Sequence, residues 1–209
     1  MTQKTFPSTP DKDTPQEQIL AQGLNSLIHE GVRGFTVESL AKELAMSKKT
    51  IYKYFPTKER LLREIFNFVS GRITRWIQEL VNKDANPLDK FRELVLTITR
   101  NLTLVSPSRF SDIKARYPSL WREMEQFRLE RRDDFLILLK DAQKQGYIRE
   151  SLEVELTATL FMNIINSVFQ QEFFLNNRVT PAHVAETFLD IFLRGLMTEK
   201  GLKYIEEVK

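Results

Sequence analysis

Three residues that can cap helices, Thr36, Ser47 and Thr57, fall within the stretch TVESLAKELAMSKKTIYKYFPTKERLLR, residues 36–63. A capping side chain accepts a backbone N–H from the first turn, so each marks a new helix start. The stretch therefore cannot be one helix. It divides into a short helix burying Val37, Leu40, Ala41 and Leu44, a very short one from about Lys48 to Phe55, and, after Pro56, the start of a third. On the middle helix Ile51 and Phe55 stand four apart and share a face, which suits packing on a core. Lys48, Lys49 and Lys53 then point elsewhere, toward solvent or a groove.

The rest of the chain is helical as well. Glycine numbers only 7 in 209 residues, and no strictly alternating run bounded by hairpin turns occurs. Residues 1–13 are polar and read as a loose arm. Thr14-Pro15-Gln16-Glu17 is a strong start, with Thr14 as cap, Pro15 in first position and Glu17 placed to complete a capping box. Leu20, Leu24, Leu27 and Ile28 line that helix, and Gly31 should stop it. The fourth helix runs from about Lys58 to Val81, with Leu62, Ile65, Val69, Ile73, Trp76 and Leu80 on one face. A fifth begins at Asn86-Pro87, a sixth breaks at Tyr117-Pro118, and a seventh runs from about Pro118 to Gly146. An eighth spans about Leu152 to Asn176, and a ninth runs from Thr180-Pro181 to near Met197, followed by a polar tail. The fold class is all-α. A three-helix head over residues 14–63 is joined by the long fourth helix to a C-terminal helical bundle over residues 64–209, about nine helices in all.

Composition narrows the chemistry. No cysteine is present, so neither a disulfide framework nor thiol chemistry is available, which suits a reducing cytoplasm. Apolar runs are short and interrupted by charge, so neither a membrane span nor a signal peptide is expected. The net charge is only +3, yet residues 36–63 hold seven lysines and arginines against three glutamates. Positive charge is thus local, as an electrostatic footprint for a phosphate backbone is. A short helix pair whose second member is basic is the arrangement of a helix-turn-helix, in which the second helix enters the major groove. Tyr52 and Tyr54 offer hydroxyls to phosphates. The helix starts at Thr36, Ser47 and Thr57 present free N–H groups. Lys58 sits in a first turn, where a cation is unfavourable for the helix dipole, so an external anion is a sensible partner.

Residues 15–63 resemble the TetR/AcrR family of bacterial transcriptional regulators. Several features agree in order: the Gly31 stop, Phe35-Thr36-Val37, Leu40-Ala41, Ser47, Ile51-Tyr52, Tyr54-Phe55 and Lys58-Glu59-Leu61. The resemblance implies phosphate contacts at Thr36, Tyr52 and Lys58. It implies a groove-facing set of Ser47, Lys48, Lys49, Thr50, Lys53 and Tyr54. Two positions depart from the family pattern. Ala45 and Met46 occupy the turn where Gly and Val are common, and alanine at a positive φ carries strain. Lys49 replaces a smaller residue, adding either a guanine-edge reader or another phosphate contact. The resemblance further implies a homodimer on a double-stranded DNA operator, with a ligand altering head spacing through the fourth helix. The function it points to is a cytoplasmic repressor released by a small-molecule effector. The alternatives are a constitutive DNA-binding dimer, or a helical carrier or enzyme with a vestigial head.

No catalytic constellation, cofactor loop or metal-ligand spacing is present, so no enzymatic activity, cofactor or metal is expected. In the eighth helix, Thr159, Asn163, Asn166 and Gln170 form one polar stripe on an otherwise apolar segment. Buried amides need partners. A ligand, a second subunit and neighbouring helices are the three choices. A ligand site built on Asn163, Asn166, Gln170 and Trp121 would take a neutral or weakly polar, largely apolar compound. Arg100, Arg109 and Arg116 leave an anionic ligand as second choice. Phe169, Phe173, Phe188 and Phe192 lie on helices too apolar to expose, so they are expected in or near a two-fold interface.

Overall fold

The computed structural model describes residues 14–103, 107–168 and 171–207. The arm expected over residues 1–13 lies outside them. Twelve helical segments are formed among the described residues: α1 (Pro15–Gly34), α2 (Val37–Glu43), α3 (Lys48–Tyr54), α4 (Lys58–Asn82), α5 (Pro87–Thr103), α6 (Pro107–Arg116), α7 (Pro118–Glu130), α8 (Arg132–Lys144), α9 (Val154–Val168), α10 (Gln171–Asn177), α11 (Pro181–Leu196) and α12 (Glu199–Glu207). The architecture is all-α, with short N-terminal helices, a long fourth helix and a helical bundle. The chain forms two compact units. One comprises Met1–Thr74 with Leu104–Met124, the other Arg75–Thr103 with Glu125–Lys209.

The first unit starts as its caps dictate. The Thr14 side chain accepts from the Glu17 N–H at 3.3 Å, and its hydroxyl donates to the Glu17 carboxylate at 3.0 Å. Gly31 adopts φ 70°, a conformation open to glycine, and leaves helical geometry there. Thr36, Ser47 and Thr57 accept from the N–H groups of Ser39, Thr50 and Arg60, each at 3.0 Å. One core gathers Ile19, Leu40, Ile51, Phe55, Leu61 and Leu120. Burying such a side chain contributes about 1.5–3 kcal/mol, which short helices need because they are marginal alone. The turn after α2 closes with two bonds, Met46 N–H to Ala41 C=O at 2.9 Å and Ala45 N–H to Lys42 C=O at 3.2 Å. That pattern requires a left-handed residue between them, and Ala45 takes it with φ 50°.

The second unit centres on aromatic rings. Phe135 and Phe161 stack at 4.1 Å, Phe192 lies 4.8 Å from Phe161, and Phe91 lies 5.5 Å from Phe135. Two elements differ from the sequence reading. The helix expected over 118–146 divides at Arg131, whose N–H donates three residues back, to Arg128, rather than four. Its side chain lies over the Phe127 ring and near Asp134. The break has neither proline nor glycine to mark it. The polar tail is a helix, α12. Ile148 and Met197 form a bridge, Tyr204 donates to Asp89 at 2.8 Å, and Gly201 leaves room for the Tyr147 carbonyl. The stretch expected as an eighth helix is covered by α9 and α10, with residues 169–170 outside the described set.

Candidate nucleic-acid interface

α3 is split as its spacing dictates. Ile51 and Phe55 are buried, while Lys48, Lys49, Tyr52, Lys53 and Tyr54 are exposed. Neither tyrosine is a core residue, since Tyr52 is 42% and Tyr54 37% accessible. Thr36 and Ser47 are also exposed, and Thr50 is half-buried, with its hydroxyl 2.8 Å from that of Ser47. Lys48 forms an exposed ion pair with Glu38 at 2.7 Å. The bond and the charge together hold the Glu38 carboxyl below and the Lys48 ammonium above their ordinary values.

Lys58 has an internal engagement that the sequence did not disclose. Its Nζ donates to the Val32 carbonyl at 3.1 Å and to that of Phe35, and lies 5.5 Å from the centroid of the Phe35 ring. These carbonyls belong to the end of α1, where a cation is favourable. The dipole objection to a lysine at the start of α4 is thus offset by the neighbouring helix end. Burial, and then the charge of Arg116, lower its pKa.

The frame behind α3 holds residues that the sequence reading missed. The Glu43 carboxylate accepts from Gln22 at 2.8 Å and from the buried Ser26 at 2.9 Å, tying α2 to α1. Arg33 pairs with Asp112 at 2.7 Å, tying α1 to α6. Arg63 meets Glu123 and donates to Ser119 at 3.2 Å, tying α4 to α7. Each partner lies far off in sequence, so no local pattern points to it.

The expected ligand residues are not brought together by any cavity described. Trp121 is buried in the first unit. In the second, Asn163 is exposed and donates to the Thr159 carbonyl at 2.8 Å, and Asn166 accepts from Arg128 at 3.0 Å. Gln170 lies outside the described residues. A partly open apolar void lined by Phe91, Leu138, Ile148 and Leu193 holds about 10 Å³, room for no more than a water. Of the expected interface residues, Phe169 lies outside the described set, Phe173 is half-buried, and Phe188 and Phe192 pack partly buried against Phe161. Exposed apolar side chains occur on the same helices: Leu156, Leu160 and Ile164 recur every four residues on α9, and Ile191 on α11 is 68% accessible.

Among the described residues, no helix is long and apolar enough to cross a membrane. Comparison with known proteins agrees with the head. Residues 19–65 match the family model of bacterial regulatory proteins, tetR family. An uncharacterised HTH-type transcriptional regulator of Bacillus subtilis, YvaF, is 25% identical over 88% of this chain and 96% of its own. The fatty acid metabolism regulator protein of the same organism is 21% identical over 86% of this chain and 94% of its own. Reduced NemR of E. coli superposes with a TM-score of 0.65 at 15% identity, over 88% of this chain and 96% of that one, a likeness of fold. With its capped, basic α3 set on a buried Ile51 and Phe55, the head of the chain, residues 19–65, is that of the TetR family of bacterial regulatory proteins.

Proposed function

We propose that the chain is a homodimeric, sequence-specific DNA-binding regulator that uses residues 14–63 to bind its operator. The observation that carries this reading is the division of α3: apolar residues hold it to the core while Lys49, Tyr52 and Lys53 face outward on a Ser47-capped helix. Ser47, Lys48, Lys49, Thr50, Lys53 and Tyr54 form the groove-facing set, and Thr36, Tyr52 and Lys58 hold phosphates. Lys58 gives two of its three donors to carbonyls, which leaves one for a phosphate. Two copies meet through α9 and α11, where Leu156, Leu160, Ile164 and Ile191 are too apolar to remain exposed, with Phe188 and Phe192 behind them.

The second unit, Arg75–Thr103 with Glu125–Lys209, forms the assembly and effector part. Repression relieved by a small, largely apolar effector is supported by kinship with a fatty acid metabolism regulator. The engaged amides favour a second reading, a constitutive DNA-binding dimer. One experiment separates these outcomes. The purified protein is incubated with random duplexes, bound sequences are selected, and the selection is repeated with fatty acids and their thioesters. A two-fold symmetric site with half-sites about one helical turn apart, or a multiple of that, is expected. Release by an acyl compound supports the repressor. Binding indifferent to every compound supports the constitutive dimer, and no enriched sequence refutes the DNA reading.

A further inference from the structure

We propose that Arg116, at the end of α6 and outside the helix-turn-helix segment, is a sequence-independent phosphate contact that widens the DNA-binding surface of the head. The proposal rests on the DNA-binding reading above. α6 belongs to the same compact unit as α1–α3. Asp112, one turn earlier on α6, pairs with Arg33 at the end of α1. Residues four apart share a helix face, so Arg116 stands on the face of α6 that meets the end of α1. Val32, next to Arg33, supplies one of the carbonyls that hold the Lys58 ammonium, and Phe35, next to the exposed cap Thr36, supplies the other. Arg116 thus stands on the side of the head that holds Lys58, one of the phosphate-holding residues of the proposed interface.

Several other charges of the head are paired. Lys48 is paired with Glu38, Arg60 with Glu64, Arg63 with Glu59 and Glu123, and Arg33 with Asp112. Arg116 is exposed, and no ion pair or hydrogen bond engages its side chain among the described residues. It also acts on Lys58 as a like charge, depressing that ammonium's pKa after burial does, while Glu38, itself paired with Lys48, offsets this to a smaller extent. Two cations set side by side destabilise each other unless an anion lies between them. A backbone phosphate is such an anion. It can accept the third N–H of Lys58 and the planar fork of Arg116 together.

The test measures binding of Arg116→Gln and Arg116→Lys to the selected duplex and to an unrelated duplex, across a range of salt. For Arg116→Gln the slope of log affinity against log salt should fall in magnitude by about 0.9, one phosphate, which is about a fivefold loss at 0.15 M salt. The loss should be equal on both duplexes, and Arg116→Lys should retain most of the slope. The thermal midpoint of Arg116→Gln should equal or slightly exceed the parent's, because no internal bond is removed and the repulsion on Lys58 is relieved. An unchanged slope in Arg116→Gln, with the parent binding normally, overturns the proposal. So does a loss confined to one sequence, or a loss that tracks a lowered thermal midpoint. A parent that binds no duplex overturns the DNA reading instead, and this contact with it.

Discussion

Replacing Ala45 by glycine should stabilise the protein. Ala45 holds φ 50° in the turn between α2 and α3, where Met46 N–H to Ala41 and Ala45 N–H to Lys42 close the end of α2. An L-residue in this left-handed conformation costs about 1–2 kcal/mol, because its Cβ crowds the following carbonyl. Glycine escapes that cost but loses roughly 0.4–1 kcal/mol more chain entropy on folding. The difference leaves a net gain of about 0.5–1 kcal/mol. Ala45 is exposed, so removing its methyl leaves no void. In a chain of this size that gain corresponds to a rise of about 1–4 °C in the unfolding midpoint. Thermal unfolding followed by far-ultraviolet circular dichroism measures it. Ala45→Val supplies the opposite sign, since a branched side chain is worse still at positive φ. A midpoint for Ala45→Gly at or below the parent's would refute the assignment of strain to this turn.

Gly23→Ala would place a methyl 2.6 Å from Ile65 Cδ1, a buried atom on α4. The overpacking cost of about 1–3 kcal/mol should exceed the helix-propensity gain of about 1 kcal/mol. In an Ile65→Val background that atom is gone, so the same substitution should become neutral or stabilising, and purely additive effects in the cycle would count against the contact. Glu43 offers a pH prediction. Hydrogen bonds from Gln22 and Ser26 hold its carboxyl below the ordinary 4.5. A depressed folded-state pKa contributes stability that is complete above the unfolded value and is lost as pH falls through the folded one. The parent should therefore lose midpoint faster than Glu43→Gln on acidification from about pH 5, and parallel pH profiles would argue that the carboxylate is not coupled to folding.

The head was legible because its signals are local. Thr14, Thr36, Ser47 and Thr57 act within their own first turns, and Ile51 and Phe55 are set by a four-residue step, so chain order alone places them. Ala45 was readable for the same reason, because a turn's φ is a property of a few residues. The break at Arg131 was not, because a change from a four-residue to a three-residue bond is made by packing and leaves no proline or glycine behind. The docking of α12 depends on the Tyr147 carbonyl and on Asp89, both distant in sequence. The polar stripe on α9 was expected to be buried, yet Asn163 is exposed and Thr159 and Asn166 are half-buried. Which partner it finds depends on where Arg128 arrives from another helix, and periodicity cannot supply that.

The discontinuity of the first unit has a consequence for synthesis. Leu120 is 2% accessible and seals the same core as Ile19, Leu40 and Ile51, yet it is translated well after the helix-turn-helix segment has left the ribosome. At about 5–20 residues per second, the interval between Thr74 and Met124 lasts roughly 3–10 s. For that time the nascent head carries an apolar face with no cover. Chaperone capture should concentrate in this window, and a chain stalled before Leu120 emerges should be a better substrate for proteolysis than one stalled after Leu120 and Met124 have cleared the ribosome. A gene fragment ending at Thr74 would encode every groove-facing residue and still lack the side chain that closes the core beneath them.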